Sequence, residues 1–194
     1  MENRFDTKTV ISIVVGTILL IMINVTVWNI PYIGDEWAIR ICAVALVIVA
    51  SISGIVTGVL VPVVSCILTG VVFGRPDAFI EMCILFVTGS ATGHYAEKTG
   101  VKYGRFSGIA ILDYAVIETG AAIIGWLCLY PLLYLYAYRQ DLRMTIPTGL
   151  RECLISIGGK VFICLPVLII SNHFFRKRQM VEDAKREYLY HAGK

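Results

Sequence analysis

Charge is scarce in this sequence, and its gaps are long. Only 16% of the 194 residues are Asp, Glu, Lys or Arg, against about 25% in a soluble globular domain. Residues 10–28, 41–74 and 119–138 contain none. No basic tract interleaves with aromatics, which argues against a nucleic-acid partner. The six cysteines, Cys42, Cys66, Cys83, Cys128, Cys153 and Cys164, form no C-x-x-C pair. That leaves no spacing for a disulfide framework or a zinc site, so they read as small apolar residues. Catalytic signatures are missing too: there is no G-x-S-x-G, no Walker loop and no pair of carboxylates in a suitable context. His94 and Glu97 make an H-x-x-E without the second histidine of a metalloprotease helix. The expectation is a protein that is not an enzyme and carries no metal or cofactor.

What fills the gaps is apolar. Hydrophobic residues make up 57% of the chain and the mean hydropathy is +0.76. About 20 apolar residues suffice for a helix to cross ~30 Å of hydrocarbon, satisfying its backbone hydrogen bonds internally as lipid demands. The uncharged run 41–74 would reach ~51 Å as one helix, so it must turn. Ser51, Ser53 and Gly54, with Gly58 following, mark the place. Pro62 is expected to kink or break the second half. The first run is longer than the roughly 7–15 residues of a signal-peptide core, and no small-residue cleavage pattern follows it; it reads as a retained helix.

The sequence therefore predicts an all-α integral membrane protein, one transmembrane domain over 1–194. Its spans are about 9–28, 38–52, 55–74, 77–95, 108–133 and 150–174, with a charged tail 175–194. Residues 134–149 read as a loop. Both ends are expected in the cytoplasm. That puts Arg4, Lys8, Lys98, Lys102, Arg105 and the tail cations Arg176, Lys177, Arg178, Lys185, Arg186 and Lys194 inside, and only Arg40, Arg75, Arg139, Arg143 and Arg151 outside, as the positive-inside rule requires.

Four ionisable residues fall within or at the edge of apolar segments: Glu81, Asp113, Glu118 and Lys160. A charge near the bilayer centre costs several kcal/mol unless it has a partner or a cavity. Glu118 and Lys160 are the deepest and lie on consecutive spans, so they can pair. Either they fix packing or they line a polar path. Asp113 sits nearer the cytoplasmic end, where water can reach it, and Glu81 suits the rim of a pocket. Small residues recur at four-residue spacing: Ser12 and Gly16 with Leu20, Gly54 with Gly58, and Gly89 with Gly93. Such faces let helices approach closely in lipid, within one chain or against a partner.

The six-span plan, the glycine-punctuated segment from Ser53 through Gly58 and Pro62 to Gly74-Arg75-Pro76-Asp77, and the small residues Ser12 and Gly16 on helix one together resemble the substrate-binding (S) component of an energy-coupling factor (ECF) transporter. In that family an alanine-x-x-x-alanine stands where this chain has Ser12 and Gly16. The resemblance implies a subunit of a bacterial plasma membrane importer. It would capture a small water-soluble vitamin or precursor from outside in a cavity of helices four to six, capped by the loop after helix one. It would then dock through helix one onto a transmembrane coupling (T) subunit driven by two cytoplasmic ATPases. On that reading Tyr32, Asp35, Glu36 and Trp37 belong to the gating loop. Asp77, Glu81, Arg139, Arg143, Arg151 and Glu152 gather at the same outer face, Glu118 and Lys160 lie deeper, and Ser12, Gly16 and Leu20 meet the coupling subunit. Flavins, pyrimidines and deazaguanine-like bases all suit such a site. The alternative is a self-contained secondary transporter or channel, although halves 1–95 and 96–194 show no internal repeat; a small intramembrane enzyme or assembly factor is a further class.

Overall fold

The computed structural model describes residues 7–30, 35–75, 77–99, 108–170 and 173. Six helices account for nearly all of them, and no strand occurs among the described residues. Helix α1 is Thr7–Trp28, α2 Asp35–Ser53, α3 Ile55–Phe73 and α4 Ala78–Thr99. Helix α5 joins Gly108–Ala122, a π-helical stretch Ile123–Leu129 and Tyr130–Tyr138 into one rod. Helix α6 runs Leu142–Gly159 into a second π-helical stretch, Lys160–Cys164, and continues to Ile170. Four of the six, α1, α3, α5 and α6, are long and apolar enough to cross a membrane. The connections α1–α2, α3–α4 and α5–α6 share one end of the bundle, here the distal end; Thr7 of α1 and Ile170 of α6 lie toward the other, the terminal end.

The long uncharged run does turn at Gly54. Its φ of +93° is open to glycine and strained for other residues, and it is the only residue between α2 and α3. Glu97 completes the joint from the end of α4: its Oε1 accepts a hydrogen bond from the Ile55 amide at 3.1 Å, serving the first turn of α3 as a capping side chain would. The H-x-x-E pair is thus divided, with Glu97 acting as a cap and His94 exposed.

Helices α3 and α4 meet backbone to backbone. A Cβ on Gly58 would collide with the Gly89 carbonyl, and one on Gly89 with the Gly58 carbonyl; a Cβ on Gly93 would lie 2.6 Å from Ile55 Cα. The two glycine pairs read from the sequence therefore face each other. Pro62, expected to kink or break α3, leaves the helix unbroken from Ile55 to Phe73. The carbonyl its ring deprives of a donor is that of Gly58, which lies against the Gly89 α-carbon, where a weak Cα–H···O contact is available.

Two boundaries differ from expectation. Residues 134–149 are not a loop: α5 continues to Tyr138 and α6 starts at Leu142. Arg139 turns left-handed at φ 53°, and the amides of Arg139 and Gln140 both donate to the Tyr134 carbonyl, closing the helix end. Asp141 then caps α6 by accepting from the Arg143 amide at 3.0 Å. Pro147 lies inside α6 without ending it. Of the Ser12–Gly16–Leu20 row, expected to face a partner, Gly16 and Leu20 are buried within the chain and Ser12 is half-buried. A Cβ on Gly16 would meet Val61 at 3.0 Å and Val49 at 3.1 Å, and Leu20 belongs to the core with Leu46, Val61 and Leu85. What α1 turns outward is Ile11, Val14, Val15, Ile18 and Met22.

Candidate functional site

At the distal end α2, α4, α5 and α6 surround a cavity of about 80 Å³, open on one side. Three walls differ in chemistry. Ile39, Ile80 and Ile84 supply an apolar side; Trp126, Tyr130 and Tyr134 supply an aromatic one; Asp77, Glu81 and Glu152 bring carboxylates, with Thr148 beside them.

The aromatic wall is a ladder up α5. Ring centroids are 5.4 Å apart for Trp126–Tyr130, 4.5 Å for Tyr130–Tyr134 and 5.2 Å for Tyr134–Tyr138. On an ideal α-helix a four-residue step drifts by about 40°. The wider π turn through Ile123–Leu129 rotates each residue less, which offsets that drift between Trp126 and Tyr130. Close approach of α6 backs the ladder: a Cβ on Gly149 would strike the Trp126 carbonyl. Tilted ring pairs at these separations contribute about 0.5–1.5 kcal/mol each beyond their buried area.

Each carboxylate is held by an arginine behind it. Gly74 closes α3 in the left-handed conformation, and the next residue, Arg75, turns inward until its side chain is 2% exposed. Its guanidinium donates to Asp77 through both Nε and Nη2, to Glu81 Oε1 at 2.7 Å and to Asn24 Oδ1 at 2.5 Å. Asn24 Nδ2 in turn donates to Glu81 Oε2 at 3.2 Å. Across the cavity Arg40 forks onto Glu152, Nε to Oε2 at 2.7 Å and Nη2 to Oε1 at 2.5 Å. Arg151 adds Nε and Nη2 to Glu152 Oε1 at 3.2 and 3.1 Å. Three arginines balance three carboxylates, so the buried charges are compensated and hydrogen-bonded.

Deeper in the bundle lies a second polar cluster. Glu118 Oε2 is 3.1 Å from Lys160 Nζ, both side chains 1% exposed. That contact is an ion pair rather than a directed hydrogen bond, since Oε2 has no donor in hydrogen-bonding geometry. Lys160 Nζ donates to Thr88 Oγ1 at 3.2 Å. The Thr92 hydroxyl reaches Glu118 Oε1 and also the Thr88 carbonyl. Glu118 lies ten residues along α5 from Gly108, and Lys160 ten residues short of Ile170 on α6, each a rise of roughly 15 Å. Glu152 is eight residues nearer the distal end than Lys160, a rise of roughly 12 Å. The pair therefore lies beneath the cavity rather than in its wall.

Of the residues picked from the sequence, Asp77, Glu81 and Glu152 line the cavity and Arg151 reaches its rim through Glu152. Trp37 does not line it: it sits in the first turns of α2, 49% exposed, with the Arg40 guanidinium 4.9 Å above its ring. Asp35 and Glu36 begin α2 instead of forming a loop, as suits acids at a helix N-terminus; only their backbone is described. Tyr32 lies outside the described residues. Arg139 and Arg143 flank the α5–α6 turn, exposed, and Asp113 is exposed near the terminal end. Unforeseen were Trp126, Tyr130 and Tyr134, whose four-residue spacing was the available signal, and the anchors Asn24, Arg40 and Arg75. No group of side chains that could hold a metal ion occurs among the described residues. Comparison with family models, with curated proteins and with solved structures gave no match for this chain.

Proposed function

We propose that this chain is the substrate-capture subunit of an ECF-type importer, a multi-pass protein of the bacterial plasma membrane. Its distal cavity takes up a small water-soluble ring compound of the vitamin or vitamin-precursor kind. The observation that carries the reading is the cavity itself: an aromatic ladder facing a few anchored charged groups, among helices otherwise apolar, is the composition of a small-molecule site. The transmembrane coupling subunit and two cytoplasmic ATPases supply the energy. Docking through Ser12, Gly16 and Leu20 is no part of the proposal, because Val49 and Val61 pack against Gly16 and Leu20 belongs to the core.

One observation favours a second reading. A buried Glu–Lys pair midway along two long helices is what a self-contained, ion-coupled transporter would carry. Purification from native membranes separates the two. Recovery of a coupling subunit with two ATPases supports the importer; solute uptake by the chain alone in liposomes, with no such subunits recovered, rejects it.

A further inference from the structure

The polarity of the cavity wall narrows the chemistry of the ligand, on the reading that the cavity is the capture site. The hydroxyls of Tyr130, Tyr134 and Thr148 can donate or accept. The wall groups of fixed polarity are the carboxylates of Asp77, Glu81 and Glu152, which only accept, and the single indole N–H of Trp126, which only donates; no arginine or lysine lines the cavity among the described residues. An ionised carboxylate only accepts, and its two oxygens offer about four lone-pair positions. Asp77 takes one hydrogen bond from Arg75 on each oxygen, so it keeps acceptor capacity on a side chain 25% exposed. The arginines spend their donors on these carboxylates from behind. A guest anion would face three carboxylates across a site whose own charges already balance, and would surrender its hydration for one neutral indole N–H as its sole donor of fixed polarity among the described wall groups. The size adds a limit. About 80 Å³ is well below the roughly 300–1,000 Å³ of sites for drug-sized ligands.

We infer that the cavity selects a compact flat ring bearing N–H donors and no net negative charge, stacked against Trp126, Tyr130 and Tyr134 with its donors on Asp77. Carboxylated and phosphorylated compounds are excluded.

Three probes on one ring test this with the full chain in lipid nanodiscs, read by tryptophan fluorescence and by calorimetry. They are 2,6-diaminopurine, 6-dimethylaminopurine, whose exocyclic donors are capped, and purine-6-carboxylate. The diamino compound should bind at least tenfold more tightly than either of the others. Asp77→Asn should erase that preference while keeping helicity and melting behaviour, because Arg75 retains Glu81 and Asn24. Equal or tighter binding of the carboxylate, or no binding of any probe at millimolar concentration, overturns the inference. If the coupling subunits are recovered while the carboxylate wins, the ligand class alone is wrong. If the diamino compound wins but no coupling subunits are recovered, the importer reading alone falls.

Discussion

Replacing Glu118 by leucine would leave Lys160 1% exposed and holding the Thr88 hydroxyl at 3.2 Å with no counter-ion among its described contacts. Removing one partner of a buried pair costs about 3–5 kcal/mol, because the surviving charge keeps its desolvation penalty and loses its compensation. At about 1.4 kcal/mol per decade, that is two to nearly four powers of ten in the unfolding equilibrium. The reverse change, Lys160→Met, should cost a similar amount by stranding Glu118. The double variant Glu118→Leu/Lys160→Met should recover most of the loss, because apolar replacement of a buried pair is often neutral or stabilising. The assay is reversible unfolding in mixed micelles followed by helicity, with the four proteins treated as a double-mutant cycle. An interhelical hydrogen bond in a membrane protein averages only about 0.6 kcal/mol. Single-variant losses below about 1 kcal/mol, or strict additivity in the double variant, would refute the claim that the charges compensate one another.

Three further outcomes follow from the packing and the cavity. Gly58→Leu puts a side chain into the Gly89 carbonyl and should destabilise the α3–α4 contact by about 1–3 kcal/mol or more; unchanged thermal unfolding of the variant would contradict that backbone approach. Glu97→Ala removes the acceptor for the Ile55 amide and should cost about 1 kcal/mol, with faster amide exchange confined to the start of α3; no change in exchange there would dismiss the cap. Trp37→Ala should leave ring binding by the cavity within about twofold, whereas Trp126→Ala should weaken it at least tenfold in the same titration; the opposite ranking would move the site to the α1–α2 side.

Much of the architecture could be read from where charge is absent, because a helix in hydrocarbon tolerates so little of it. The bend at Gly54 was legible for a related reason: one run was too long for one crossing, and small residues stood at its middle. The α5–α6 reversal was misread because Arg139, Asp141, Arg143 and Pro147 have loop-like composition. Beyond the hydrocarbon a helix has no need of apolar residues, and the 29-residue stretches Ala110–Tyr138 and Leu142–Ile170 rise about 43 Å each, more than the ~30 Å of hydrocarbon. Small-residue spacing said that something approaches α1 closely, not what; Val49 and Val61 of the same chain do so. In the cavity, Asp77 and Glu81 stood out because an acid beside an apolar run demands explanation. Trp126, Tyr130 and Tyr134 did not, since an aromatic inside a span passes for ordinary filling until its neighbours are known.

The joint at Gly54 has a mechanical meaning. One residue allows no slack, and the hydrogen bond from the Ile55 amide to Glu97 ties a third rod to the same knuckle, so α2, α3 and α4 are fastened to one another at the end of the bundle opposite the cavity.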